Sequence, residues 1–592
     1  MFLLLIVFVP ALYSENVLDN SLLPKFIGLS AVLFGFSIYL SIKSKENISI
    51  NLVDISLISF VLFVSISYFS AINQGEFIYE FLKILLFVSC FYIVAYFFER
   101  QEKEVVQLLP KLAVMATIIA IIFSFSELSH ALKAKEPFSS TVYLVEGLHA
   151  HKNLLSNWVC LLIPFTFLGV RLPSLWPKVI FYIAISLQVG FVLLLQTRAS
   201  IIGLLAFALV IIVEYSSRSK AKKILLNFFT GFSIIVGLFL VLLFLSPVME
   251  NLLLGLEIES ASASERTILW AKSMSMIKAH CFSGVGLGNW KIYFPNQGLE
   301  GLYRATLNDT IFARPHNDFI WTLAESGLFA FLSFFTFIGL IIKTSLVASK
   351  DQKSSHKHLT FTFIAGICMF LSISFFDFLK ERIEHIIIFA ILLAGLYAQS
   401  IQRFKSVNFL RPSWNKLFYG LFALFSVFSC YVGIIRFQSE AYLQQMLIEK
   451  DESNHQKMKE YALNAKNSFV QSDNNGIPID WYIGLCEYNL GNISAAHQYF
   501  KSALLLHPYD FNVLNNFATT HFLEGRYNEA IPIYLHALKI NPRFEEMRLN
   551  LVSAYINLGD WRNAAECISK VETKSQRSEN LSNIIRQNIS IN

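Results

Sequence analysis

The sequence predicts an all-α chain in two parts: a polytopic helical membrane bundle of about 13 spans, then a soluble domain of helical hairpins. Three observations carry this. Of the 592 residues, 55% are hydrophobic and only 15% charged, too little charge to cover a soluble protein of this size. Apolar runs of about 20 residues, enough to cross a hydrocarbon core of roughly 30 Å, recur through the first 436 residues. From about 440 these runs stop and a period of 34 residues replaces them.

In chain order the candidate spans are 2–14, 23–42, 54–72, 79–98, 107–127, 152–170, 177–197, 199–215, 224–246, 318–343, 358–376, 383–401 and 415–435. One polar loop, 247–317, is far longer than the others. The first segment, Met1 to Tyr13, lacks a basic flank and reads as a membrane segment or uncleaved anchor, not a cleaved signal peptide. The seven cysteines show neither zinc spacing nor a disulfide framework, and read as small core hydrophobes.

Loop charge sets the orientation. With a cytoplasmic N-terminus, the inside loops carry eighteen Lys and Arg. The short outside loops carry seven: Lys25, Lys133, Lys135, Lys152, Arg198, Lys380 and Arg382. This is the bias of the positive-inside rule. The basic run from Arg218 to Lys223 is then a topological anchor and calls for no nucleic acid. An odd span count places loop 247–317 and everything after the last span outside the membrane.

The second part, 437–592, is periodic. Gly491, Gly525 and Gly559 are 34 apart, as are Ala496, Ala530 and Ala564, the pairs Ala503/Ala537 and Pro508/Pro542, and the aromatics Phe500 and Tyr534. This pattern resembles the tetratricopeptide repeat. Small Ala residues let paired helices approach, and Pro ends the second helix of each pair. Such a stack builds a concave surface that usually binds a peptide or protein partner. A purely structural cap on the membrane domain is the alternative.

Four clusters fall at the outer face. They are Gly147 to Asn153, including His149 and His151; Gln196 to Ser200, including Arg198; Ser264 to Trp270 with the turn Gly284-x-Gly286-x-Gly288; and Arg314-Pro315-His316-Asn317 followed by Glu325 and Gly327. Ionisable groups at a membrane boundary usually mark a pathway or reaction site. The glycine turn is no dinucleotide fingerprint, because no strand–helix unit surrounds it. Arg198 also suits an interfacial anchor, Arg266 a surface charge, and His149 and His151 structural polar roles.

The four clusters in this order resemble the bacterial superfamily of O-antigen ligases, O-antigen polymerases and protein O-oligosaccharyltransferases, over roughly residues 20–400. The resemblance implies a GT-C-like membrane fold. It implies transfer of a glycan from undecaprenyl-pyrophosphate to an acceptor hydroxyl at the periplasmic face of the inner membrane, inverting, with no metal or other cofactor. The acceptor is then a lipid A core sugar, a protein Ser/Thr, or another lipid-linked glycan. Membrane lipid and a protein on the repeats are the further partners.

The chemistry fits those residues. Pyrophosphate gains charge as the glycosidic bond breaks, and Arg binds phosphate oxygens bidentately with a permanent charge. Arg198, Arg266 and Arg314 are the candidates for the donor pyrophosphate. His316 is the candidate catalytic base for the attacking hydroxyl. His151, Asn153, Trp270, Asn317 and Glu325 are the expected supporting residues. The repeats contain no comparable Arg/His set, so they are expected to recognise acceptor or partner, and truncation near Phe437 to spare donor binding. A transporter or flippase is the remote alternative; the charges gather at one face instead of mid-span, and no symmetry between halves is evident.

Overall fold

The computed structural model describes residues 1–44, 50–133, 142, 144–171, 175–216, 265–307, 311–350, 354–400 and 413–589. The span expected at 224–246, the basic run 218–223 and the first part of the large loop, 247–264, lie outside the described residues. So do Lys45, Lys135, Lys353, Arg403, Lys405 and Arg411 of the charge comparison.

The described residues hold helices and no β-strand. Nine helices are long and apolar enough to cross a membrane among them, including Leu22–Lys43, Lys152–Val170, Ile383–Ser400 and Asn415–Asp451. Gln74–Lys133 contains the two spans expected at 79–98 and 107–127, divided where Gln101 leaves helical geometry (φ −132°, ψ 38°). The span expected at 177–197 is the helix Leu175–Leu194. This is a multi-pass membrane protein.

The first expected span is corrected. Residues 2–14 give a π-helical turn, Leu4–Phe8, followed by a 3-10 turn, Val9–Ala11. Ten helical residues reach about 15 Å, half of the roughly 30 Å needed to cross. The segment is instead a buried wedge, with Leu5, Ile6 and Val9 inside and Phe2 edge-on to Phe98 at 5.7 Å.

Polar clusters mark two opposite faces of the bundle. On one, Arg171 and His358 both bind Glu214, at 2.7 and 2.6 Å. On the other, Lys25 donates to Glu384 (3.1 Å) and to the Leu148 carbonyl (2.7 Å), and Arg382 pairs with Asp19 at 2.9 Å. Burial alone would raise the Asp19 carboxyl, but the Arg382 guanidinium and the backbone N–H groups of Leu22 and Ser21 hold it below its ordinary value. The second face carries the large loop and the repeats.

The last membrane helix, Ser413–Asp451, has 39 residues. At 1.5 Å per residue it reaches about 58 Å, well beyond the bilayer core. The boundary read at 436/437 falls within it. Past it stand three helical hairpins: Ile479–Asn489 with Ile493–Leu506, Phe511–Leu523 with Tyr527–Ile540, and Glu545–Asn557 with Trp561–Ile568. A final helix, Gln576–Ile589, closes the stack. Gly491, Gly525 and Gly559 occupy the hairpin turns with φ of 83°, 76° and 74°, where a side chain would strain the backbone. Ala496, Ala530 and Ala564 are fully buried between paired helices.

Candidate active site

The residues around His316 come from four separated stretches. Arg266 and Trp270 lie on the first turns of a helix over 265–279. Trp270 donates from Nε1 to the Pro315 carbonyl at 2.9 Å, fixing the residue before His316. Arg266 donates to the Phe376 carbonyl at 2.9 Å. Arg314 pairs with Glu381 at 2.5 Å and lies over the Phe378 ring, 4.4 Å away. The His316 ring meets the same Phe378 edge-on at 5.2 Å.

His316 is held in the left-handed region (φ 54°), a conformation that costs a non-glycine residue about 1–3 kcal/mol. Its Nδ1 is buried and meets no hydrogen-bond partner among the described residues. Burial, then the Arg266 and Arg314 guanidiniums, His151 and Arg304, push its pKa down to about 3. The imidazole is therefore neutral at physiological pH. Asn317 caps the following helix by accepting from the Phe319 and Ile320 N–H groups, both at 3.0 Å.

The first two clusters meet at the same face. His151 accepts from the Asn153 N–H at 3.1 Å, capping Lys152–Val170. Burial and the neighbouring Lys152, Arg382 and Arg314 hold it down to about 4. Thr197 reaches the Asn153 side chain at 3.3 Å, so the turn before Arg198 is tied to this cap. Arg198 itself begins Arg198–Ser216 with an exposed side chain. The described residues contain four non-glycine residues with positive φ, and three of them, Ala150, Gln196 and His316, lie in the clusters singled out from sequence. Such strain persists only where surrounding structure enforces it and concentrates at functional sites.

Glu325 lies elsewhere than the His316 neighbourhood. It accepts from the Trp290 N–H at 3.3 Å and from Lys380 at 3.2 Å. With Asp318, two turns back on the same helix face, it borders a cavity whose wall combines Phe60, Phe87, Phe335 and Phe389 with the charged Glu80, Lys83 and Lys380. Phe319 divides this cavity from the His316 cluster: it stacks on Phe335 (5.3 Å) and tilts onto Phe375 (5.9 Å), which meets Trp270.

Residues 182–335 match the profile of the O-antigen ligase family, and 521–586 match that of the tetratricopeptide repeat. The chain carries an O-antigen ligase domain. The match takes in Arg198, Arg266, Trp270, the glycine turn, His316, Asn317 and Glu325, and begins after His151 and Asn153. It supports an O-antigen ligase- or polymerase-type function in general, and a glycosyl-transfer or ligase activity. No curated protein matches the chain. Among solved structures, the crystal structure of the APC/C hetero-tetramer Cut9–Hcn1 aligns over 84% of this chain and 89% of that one, at 11% identity and a TM-score of 0.24, agreement too weak to carry any argument.

Within the ligase domain, the glycine turn has a packing cause. Helix Asp318–Lys350 breaks at Gly327 (φ 77°, ψ 176°). The Val285 and Gly286 N–H groups donate to the Ala324 and Glu325 carbonyls, at 3.0 and 2.9 Å. A methyl at Gly327 would sit 2.1 Å from the Phe282 carbonyl oxygen. Gly327→Ala is expected to lose a positive-φ extended conformation that is essentially reserved for glycine, worth about 1–3 kcal/mol on its own, and to clash with backbone that no rotamer change relieves. Thermal aggregation in detergent measures this; a wild-type melting profile would show that the turn is not wedged there.

Sequence reasoning missed the segment 376–382. Asp377 accepts from Asn157 at 2.7 Å, the Lys380 N–H donates to Asp318 at 3.0 Å, and Arg266, Arg314, His316 and Glu325 each make one of the contacts above with this segment. Four charges between two spans, Asp377, Lys380, Glu381 and Arg382, were the available signal. The sequence reading counted Lys380 and Arg382 only as loop charge.

Proposed function

We propose that this protein moves a glycan from a polyprenyl-pyrophosphate carrier, undecaprenyl-pyrophosphate in bacteria, to an acceptor hydroxyl at the periplasmic face of the inner membrane. The observation that carries this reading is the gathering of Arg266, Arg314 and Arg304 around a neutral His316 at one membrane face. Cations there oppose the charge that develops on the departing pyrophosphate, so they favour the transition state over the ground state. The acceptor oxygen attacks the anomeric carbon as its bond to the phosphate oxygen breaks. The hydroxyl proton passes to His316, and single displacement inverts the anomeric centre. Fixed guanidiniums provide the counter-charge, so the scheme requires no metal. The phenylalanine side of the cavity behind Phe319 suits part of the polyprenyl chain, while Lys83 and Lys380 on its wall are paired with Glu80 and Glu325.

For the acceptor we favour a protein hydroxyl, with a lipid A core sugar next and a growing polymer as the alternative. The repeats favour a polypeptide because their stacked hairpins build a concave surface of the kind that usually binds a peptide or protein partner. The test is gene deletion with parallel analysis of lipopolysaccharide ladders and glycoproteins. Loss of protein glycans with intact ladders supports the protein acceptor. Short ladders point to the lipid A core. Loss of neither, with no accumulation of lipid-linked donor, removes the transferase reading.

The orientation is tested separately. A reporter active only after export, fused after Asn592, is expected to be active, and its mirror-image cytoplasmic reporter silent. The charge bias requires this whether or not the first segment crosses, because it rests on the loops that follow.

A further inference from the structure

The repeat domain does not hang from the membrane domain as a tether. The end of helix Tyr527–Ile540 is built into the large loop. The Leu299 N–H donates to the Ile540 carbonyl at 2.8 Å, and Asn541, fully buried, donates from Nδ2 to the Thr306 carbonyl at 3.1 Å. Phe294, Leu299, Leu302 and Ala305 of the loop are buried in one apolar cluster with Tyr534, Ala537 and Ile540 of the repeats. A second seam reinforces this. Glu76 at a span end pairs with Arg436 (2.8 Å) and with Lys291 (2.9 Å), and Lys291 also donates to the Asn474 carbonyl (3.0 Å) on the approach to the repeats. A recruitment arm needs only a mobile linker; inter-domain contacts permit motion unless they are large and apolar.

The loop gripped by the repeats in turn grips the helix that bears Arg266. Lys272 donates to the Gln297 carbonyl at 3.2 Å. Arg304 forms an ion pair with Glu265, the neighbour of Arg266. Gly301 faces Ile268, one turn along. We propose that the repeat domain is a positioning element of the catalytic site: Asn541 and the end of its repeat hold loop 297–306, which sets the helix over 265–279 and thereby Arg266. The catalytic consequence rests on the reading of Arg266 as a ligand of the donor pyrophosphate. Removal of the repeats would uncover the loop, so truncation near Phe437 is expected to impair the site and not only to change the acceptor.

The test uses the full chain in membranes. With Cys281 and Cys567 replaced by Ser, the pair Leu299→Cys and Ile540→Cys is expected to cross-link on mild oxidation in most molecules. Asn541→Ala is expected to lower kcat, with a modest change in the KM for lipid-linked donor, and so to lower transfer by up to about 10²-fold, the scale of a small misplacement of a reacting group. The same substitution added to Arg266→Ala should cost little more, since both act through one contact. Additive losses, or a pair that fails to cross-link, would overturn the proposal. If the wild type transferred nothing, the transferase reading would fall while the positional claim stayed decidable. Maleimide labelling of an Arg266→Cys variant should accelerate when Asn541→Ala is added, and an unchanged rate would refute it.

Discussion

Replacement of His316 by alanine is expected to lower glycan transfer by about 10²–10⁴-fold, the contribution typical of a positioned general base, with protein level and donor binding preserved. The His316 Nδ1 meets no partner among the described residues, the backbone is held at φ 54°, and the carbonyl before it is fixed by Trp270. His151, the competing imidazole, already uses Nδ1 to cap its helix. A pKa of about 3 keeps His316 neutral, yet a base that weak gains little from taking a proton. Bound pyrophosphate changes this: its negative charge offsets Arg266 and Arg314 and moves the imidazole back toward the ordinary value of about 6.5. A base must be unprotonated, so rate is lost as pH falls through its pKa. The profile of kcat, which reports the complex, should therefore fall at higher pH than that of kcat/KM, which reports the free enzyme. Coincident acid limbs would show that the donor does not act on His316, and normal transfer by His316→Ala would remove it from the mechanism.

What could be read from sequence follows the range of the physics involved. Span positions depend on local hydropathy, and the expected 152–170 and 383–401 fall on Lys152–Val170 and Ile383–Ser400. The repeats were legible for a similar reason, since Gly525 and Ala530 answer to their own hairpin. The first segment misled because composition does not show where an apolar helix stops; Leu12 turns extended and ends it. Within the site, contiguous motifs were visible and cross-chain partners were not. No spacing reveals that Asp377 will accept from Asn157, 220 residues earlier, or that Glu381 will pair with Arg314. The seam with the repeats was hidden too, because Asn541-Pro542 reads as the end of a repeat unit and gives no hint that its carboxamide caps Thr306.

Arg266→Ala is expected to lower transfer by about 10²–10³-fold, the cost of removing one preorganised donor from developing negative charge, and Arg266→Lys to recover only a small part. The guanidinium already spends one N–H on the Phe376 carbonyl at 2.9 Å. That bond fixes the plane of the fork, so the remaining donors are aimed before any phosphate arrives. Lysine has a single ammonium on a flexible stem and cannot hold Phe376 while presenting two parallel donors to phosphate oxygens. Its charge survives, so long-range attraction of the anionic donor survives with it, and the loss should fall on the step in which charge builds on the leaving group. The discriminating measurement is therefore the division between constants. A drop in kcat with a modest change in donor KM places Arg266 on the leaving pyrophosphate in the transition state. A change confined to KM would make it a ground-state contact, and Arg314, drawn aside by Glu381 in its present pairing, would then be the better candidate for the developing charge.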